Sequence, residues 1–440
     1  MPPAPKDRPL GRLDRTFGLT AHGTSVRTEI LAGVTTFLTM AYILFVNPSI
    51  LAAAGMPEGP VFVATAVAAI AGTLIMAFAA NYPIALAPGM GLNAFFAFTV
   101  VLADGFTWQE ALAAVFCSGV IFVAISLIGL RRVIIDSIPA NLKHAISAGI
   151  GLFLGIIAME NAGIVVDSPA TLVTAGDFAS APVILALVGF ALIAALNAIG
   201  LVGGTIIGIL VVTILGVPFG LVEFKGVISL PPDPTPTLFA LDFARVATGT
   251  FWIVVFSLLL VDLFDTAGTL LGVSARAGLL DKDGRLPRMR QALFADSTAT
   301  VIGSLVGTSN TTSYVESATG VAAGGRTGLT GITVAALFAL GLLFSPLAAT
   351  IPPFATAGAL LFVATIMLQG LADIDWSDPT EVAPAAVCAF GMPFTYSISE
   401  GIGLGFVTYV LVKLFSGRIS DLTPGVVVIA VAFGAFFIYG

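Results

Sequence analysis

The sequence predicts an all-α polytopic membrane protein. Its fourteen transmembrane segments form a 7+7 inverted repeat, with short strands in broken segments 3 and 10. Three observations predict this. Hydrophobic residues make up 58% of the 440-residue chain and charged residues only 10%, against about 25% charged in a soluble domain. Mean hydropathy is +1.05, and the charges gather in short gaps between apolar runs, as in a helical membrane protein. Third, Lys and Arg fall almost wholly on one side once the apolar runs are threaded through a bilayer.

A spanning helix needs about 20 mainly apolar residues. Residues 1–28 are Pro- and Arg-rich, lack the apolar centre of a secretory signal, and read as a cytoplasmic leader. Seven apolar segments follow at 29–51, 60–80, 84–103, 108–130, 141–163, 181–200 and 203–219. A Pro-rich connection, 223–248, separates the first repeat (29–222) from the second (249–423). The second holds segments at 249–273, 289–306, 309–323, 328–346, 351–371, 380–397 and 398–416. A last apolar piece in 424–440 is short for a full span and reads as interfacial or half-inserted.

With the N-terminus inside, the inner face receives Lys6, Arg8, Arg12, Arg15, Arg27, Arg131, Arg132, Lys143, Arg276, Lys282, Arg285, Arg288, Arg290, Arg326, Lys413 and Arg418. The outer face receives only Lys225 and Arg245. One miscounted segment would invert everything after it, so this asymmetry supports the whole threading.

The halves resemble each other. Segment 5 contains Ile150-Gly-Leu-Phe-Leu-Gly-Ile-Ile-Ala-Met-Glu-Asn-Ala-Gly163, and segment 12 contains Ala359-Leu-Leu-Phe-Val-Ala-Thr-Ile-Met-Leu-Gln-Gly-Leu-Ala372. Each precedes an acidic gap and then an Ala-Pro pair, Ala181-Pro182 and Ala383-Pro384. Seven is odd, so the second half runs the opposite way across the bilayer, and such repeats place substrate near the midplane between broken helices.

Two segments at equivalent places look broken. Segment 3 carries Ala87-Pro-Gly-Met-Gly-Leu-Asn93, where Pro and Gly interrupt a helix. Segment 10 carries Gly307-Thr-Ser-Asn-Thr-Thr-Ser-Tyr-Val-Glu316, whose β-branched and hydroxyl residues favour extended backbone. Extended chain at membrane depth persists only when buried in protein or lining a cavity. Two such strands can pair and leave half-helices starting at the centre, offering N–H groups to a polar ligand.

Buried carboxyls in these segments are the candidate chemistry. A carboxylate in hydrocarbon costs several kcal/mol unless protonated, paired or facing water. Asp265 reads as a protonatable ligand group, with Thr269 four residues on along the same helical face; its bland reading is a helix-packing carboxyl. Asp262, three residues before Asp265, is open between the two roles, because two acids this close repel unless one is neutral. Glu316 beside unwound backbone reads as an acceptor for ring N–H groups, or as a charge stabilising the half-helix start. Asn93 can donate and accept along a heteroaromatic edge. Ser317 is a weaker candidate, since small polar residues often only join helix to helix. Among the other acids, Glu160 and Asp167 read as facing water, Asp296 as a local cap or pair, and Glu400 as lying beside a turn.

Several classes are excluded. The net charge of −7 and the lack of a basic footprint argue against nucleic acid. Cys117 and Cys388 make neither a disulfide framework nor a metal spacing. Pro88-Gly-Met-Gly91 lacks the strand-loop-helix context of a phosphate loop. With no nucleophile–base pair, metal cluster or cofactor motif, an embedded enzyme is disfavoured.

The stretches Ala87–Asn93, Phe264-Asp-Thr-Ala-Gly-Thr269 and Thr311-Thr-Ser-Tyr-Val-Glu-Ser317 resemble the AzgA-like hypoxanthine/guanine/adenine permeases. These are a branch of the nucleobase–ascorbate transporter superfamily. Arg12-Leu-Asp-Arg-Thr-Phe-Gly18 and Met40-Ala-Tyr-Ile-Leu-Phe-Val-Asn-Pro48 match the same branch, so the resemblance covers nearly the whole chain. It implies a core domain from segments 1–4 and 8–11 and a gate domain from segments 5–7 and 12–14. It places acidic ligand positions on Asp265 and Glu316. Thr269 stands where some relatives of the uracil branch carry His, which favours the purine branch. The resemblance further implies a homodimer.

The expectation is purine nucleobase uptake across a bacterial inner membrane by proton symport with an elevator-like core movement. Substrate would sit on Asp265, Glu316, Asn93, Thr269 and Ser317, with Asp265 or Glu316 carrying the proton and no cofactor. The alternative is an anion transporter or channel of sulfate type on the same architecture; paired half-helix starts suit an anion, and two buried acids do not. Which purine is preferred, and proton against sodium, stay open.

Overall fold

The computed structural model describes residues 11–128, 138–282 and 286–439. Arg131, Arg132 and Arg285, and Lys6 and Arg8 of the leader, lie outside them.

The expected segments are present in order. Nine helices among the described residues are long and apolar enough to cross a membrane: Val26–Ala53, Glu58–Ala80, Trp108–Ile128, Ala140–Asn161, Ala181–Ala198, Gly249–Ala275, Gly328–Ala348, Pro353–Asp373 and Ile398–Phe415. These are segments 1, 2, 4, 5, 6, 8, 11, 12 and 14. Segment 7 is the shorter Gly204–Phe219. Segments 9 (Met289–Val306) and 13 (Pro379–Thr395) complete the unbroken set. The helix Pro424–Tyr439 packs against segment 14.

Segments 3 and 10 are broken as the sequence predicts. Segment 3 runs from strand β1 (Leu86–Pro88) into the helical stretch Met90–Ala103. A second pair of strands was not expected. Val165–Ser168 (β2) and Leu172–Ala175 (β3) form an antiparallel hairpin in the gap after segment 5. Strand β4 (Thr311–Ser313) and the short helix Ser317–Ala322 make up segment 10.

The helix packing reports the seven-segment repeat directly. Under an exchange of segment n with n+7, the contact of 1 with 11 maps onto 8 with 4, and that of 2 with 11 onto 9 with 4. Likewise 6 with 7 maps onto 13 with 14, and 6 with 12 onto 13 with 5. All eight contacts are present. Segments 2 and 9, and segments 5 and 12, pack on their own counterparts. Two clusters of helices result, one around segments 2, 9 and 11 and one around segments 5, 12 and 13.

Local chemistry sets the ends. Ser25 caps segment 1 by accepting the Thr28 N–H. Its fourth helical residue, Glu29, is fully buried and caps segment 11 instead. Its carboxylate accepts the N–H groups of Arg326, Thr327 and Thr330 and the hydroxyls of Thr327 and Thr330. That satisfies donors a helix start leaves free. The turn into segment 10 uses Gly307 at φ +100°, where a Cβ would also sit 2.2 Å from the Thr237 Cβ.

Candidate functional site

The site is built on a two-stranded antiparallel ladder inside the protein. β1 pairs with β4 in the register Leu86↔Ser313, Ala87↔Thr312 and Pro88↔Thr311. Gly89 N–H to the Asn310 carbonyl and Tyr314 N–H to the Ala85 carbonyl, each 2.9 Å, extend it. Both strands are buried throughout. Their outer edges therefore need partners, and a threonine supplies them in each repeat. Thr73 of segment 2 accepts the Leu86 N–H and donates to the Leu86 carbonyl. Thr300 of segment 9 does the same for Thr311. Equivalent segments thus solve the same problem with the same residue type.

Half-helices leave the ladder in opposite directions. The start of Met90–Ala103 approaches segment 5 so closely that a Cβ on Gly91 would lie 2.6 Å from the Ile150 Cγ2. On the other side, Glu316 precedes Ser317–Ala322.

Asp265 of segment 8 accepts a hydrogen bond from the Thr312 hydroxyl at 3.2 Å, so it stands directly beside β4. Glu316 accepts from the Tyr42 hydroxyl at 2.6 Å. Asp265 and Glu316 are half-buried, and Val315 beside Glu316 is 50% exposed, so this flank of β4 is only partly covered. Thr269 is half-buried one turn further along segment 8. Asn93 is fully buried; its Oδ1 accepts from the Ser309 hydroxyl, and its Nδ2 has no partner among the described residues. The Ser317 hydroxyl accepts the Ala85 N–H at 3.0 Å, so its visible work is to hold the end of β1. The segments thus bring Asp265 beside the middle of β4 and Glu316 just past its C-terminal end, with Asn93 at the partner half-helix.

Three residues were missed or undervalued in the sequence. Asp296 is neither a cap nor a local pair. It is fully buried, accepting from Thr266 at 2.7 Å and Ser313 at 2.9 Å. Asp262 is also fully buried; one of its oxygens accepts from Asn310 at 2.9 Å and competes with the Thr311 carbonyl for the one Thr300 hydroxyl proton, while the other has no partner among the described residues. Tyr42, which orients Glu316, stood in the Met40–Pro48 stretch without an assigned role. As expected, Glu160 is exposed; it accepts the Tyr396 hydroxyl at 2.5 Å. Just past the C-terminal end of segment 3, burial and then the nearby Glu400 push the Asp104 carboxyl up to about 6, with Arg245 opposing.

The arrangement holds acceptors at Asp265 and Glu316, a free donor at Asn93, and backbone N–H groups where Met90–Ala103 begins. That is a complementary set for a flat ligand bearing both N–H groups and ring nitrogens.

Residues 27–404 match the family model described as "Permease family". The chain is 46% identical over 423 residues to adenine permease AdeP of Escherichia coli (strain K12), covering 96% of this chain and 95% of that protein. It is 46% identical over 425 residues to guanine/hypoxanthine permease PbuO of Bacillus subtilis (strain 168), covering 95% of this chain and 98% of the relative. Among solved structures it resembles the transmembrane domain of the cyanobacterial bicarbonate transporter BicA. The TM-score is 0.63 at 16% identity, over 92% of this chain and 97% of that one. A murine Solute Carrier 26 family anion transporter in the inward-facing state gives a TM-score of 0.64 at 11% identity, over 94% and 74% of the two chains. At such identities the structural likeness concerns the fold alone.

Proposed function

The chain belongs to this permease family as a multi-pass membrane protein, and on that premise we propose that it takes up a purine nucleobase by proton symport. The observation that carries the reading is the buried ladder with Asp265 beside Thr312 at the middle of β4 and Glu316 just past the strand's C-terminal end. Both carboxyls are half-buried, and both accept hydroxyl donors from neighbouring segments. A purine presents N–H groups for such acceptors and ring nitrogens for donors. Glu316 and Asp265 accept the base's N–H groups, the Asn93 amide donates to a ring nitrogen, and Thr269 borders the ring. Ser317 serves by fixing β1. The names of the relatives, permeases for adenine and for guanine/hypoxanthine, support this substrate class.

Asp265 or Glu316 binds the co-transported proton, since neither has a cationic partner among the described ion pairs. Segments 1–4 and 8–11 form the core that carries the site. Segments 5–7 and 12–14 form the gate against which it slides, in an inner membrane with the N-terminus in the cytoplasm. The homodimer belongs to the same proposal. Anion transport shares the fold but fits the site less well, because two carboxyls beside the ladder repel an anion.

The test is uptake of radiolabelled adenine, guanine and hypoxanthine in a host lacking its own purine uptake, with and without a protonophore. Purine accumulation that collapses with the pH gradient supports the reading. Accumulation indifferent to the gradient removes proton coupling, and absence of purine uptake removes the substrate class.

A further inference from the structure

We propose that Asp296 is a second proton-holding carboxyl of the transport cycle, wired to Asp265 through the hydroxyls of Thr312 and Thr266; this rests on the proton-coupled reading above. The wire consists of three short contacts. Asp265 Oδ2 lies 3.2 Å from Thr312 Oγ1, Thr312 Oγ1 lies 2.9 Å from Thr266 Oγ1, and Thr266 Oγ1 lies 2.7 Å from Asp296 Oδ2. Thr266 and Asp296 are fully buried and Thr312 is 2% exposed, whereas Asp265 is half-buried. The wire runs from the site into the sealed interior.

Counting protons makes the argument. Three oxygen–oxygen links need three bridging protons, and each threonine hydroxyl has one. With both carboxyls ionised, Thr312 donates to Asp265 and Thr266 to Asp296, and two hydroxyl oxygens then face each other with nothing between them. The chain closes only when one carboxyl supplies the third proton. With the proton on Asp265, each group donates toward Asp296. With it on Asp296, every donor reverses.

Passage between these states is a proton relay. The Asp265 proton moves to Thr312, the Thr312 hydroxyl proton moves to Thr266, and the Thr266 proton moves to the Asp296 carboxylate. One proton changes site, each hydroxyl ends neutral, and the heavy atoms keep their places.

The surroundings favour a bound proton. None of the ion pairs among the described residues reaches Asp262, Asp265 or Asp296. Of the elements packed on segment 9, segment 8 carries Asp262 and Asp265, segment 10 carries Tyr314 and Glu316 beyond β4, segment 2 only Glu58 at its start, and segment 4 only Glu110 at its start and Cys117, while segment 9 itself carries Arg290 near its own start. The unpartnered Asp262 oxygen adds a further uncompensated acceptor nearby. Unpaired buried carboxylates cost several kcal/mol each, and protonation relieves that cost. The four groups of the wire belong to segments 8, 9 and 10, so a stored proton travels with the ladder.

The wire is tested with the whole protein in proteoliposomes, comparing pH-gradient-driven accumulation of radiolabelled adenine with adenine counterflow at equal pH. Thr266→Val cuts the wire while keeping side-chain shape. The expected result is an accumulation loss on the order of tenfold or more, with counterflow within about twofold of wild type. Thr266→Ser restores accumulation, and Asp296→Asn reproduces the split. Thr266→Val accumulating adenine as wild type does overturns the proposal. So does equal loss of both readouts in the Val and Ser variants, which marks a packing role. A wild type whose adenine accumulation ignores the gradient refutes the coupling itself, an outcome visible before any variant is made.

Discussion

Replacing Glu316 with Gln isolates the charge at the ladder's end with little change of shape. In the wild type one carboxylate oxygen accepts the Tyr42 hydroxyl at 2.6 Å, leaving the other for the base. Gln keeps an oxygen for Tyr42 and turns an NH₂ toward the ligand, so a donor meets the base's N–H. A hydrogen bond to a charged group contributes about 1.5–3 kcal/mol. Its loss corresponds to roughly 10- to 150-fold weaker binding, with any unpaired N–H adding to that. The assay is initial-rate uptake of radiolabelled hypoxanthine over a concentration series, normalised to protein in the membrane. Glu316→Gln should raise KM by that factor. Tyr42→Phe, which keeps the carboxylate and removes only its orienting donor, should raise it by several-fold at most, in line with a single lost hydrogen bond of about 1 kcal/mol. Wild-type KM and rate in Glu316→Gln at normal expression would remove Glu316 from the site.

Three further outcomes follow from particular contacts. Gly91→Ala places a methyl 2.6 Å from the Ile150 Cγ2, an overlap costing about 1–3 kcal/mol; uptake should slow, and Ile150→Ala in the same chain should restore it. Glu29→Gln turns an amide toward the donors that start segment 11. A cost of about 2–4 kcal/mol should lower the thermal midpoint by ~5 °C and leave the KM of uptake unchanged. Asp104 keeps its proton up to about pH 6 in the fold, whereas an unfolded Asp releases it near pH ~3.9. The folded state therefore binds more protons between those values, and stability falls as pH rises through that window. Asp104→Asn should flatten that slope in melts of detergent-solubilised protein from pH 4 to 7; an unchanged slope would assign it to other groups.

The succession of segments was legible because a bilayer demands long apolar runs. The ladder was legible too, since Thr311–Ser313 is β-branched and hydroxyl-rich where a helix should be, and Pro88-Gly interrupts its counterpart. The β2–β3 hairpin was not. Its strand-forming residues, Val165-Val and Leu172-Val-Thr, sit in an acidic gap that drew attention only as a break between helices. Asp296 was misjudged for a different reason. Its partners Thr266 and Ser313 lie 30 and 17 residues away on other segments, and periodicity gives the face a residue occupies without naming the neighbour it meets. Glu29 escaped because a carboxylate near a span's start looks like an ordinary first-turn acid, while the donors it serves begin with Arg326, 297 residues on.

Equilibrium binding of radiolabelled adenine to the purified protein, challenged with unlabelled competitors, tests the central assignment most directly. Adenine, hypoxanthine or guanine should displace the label in wild type, uracil, bicarbonate and sulfate should not, and Glu316→Gln should bind weakly. Displacement by bicarbonate or sulfate with no effect of purines, or full-strength binding in Glu316→Gln, would contradict a purine site on this ladder.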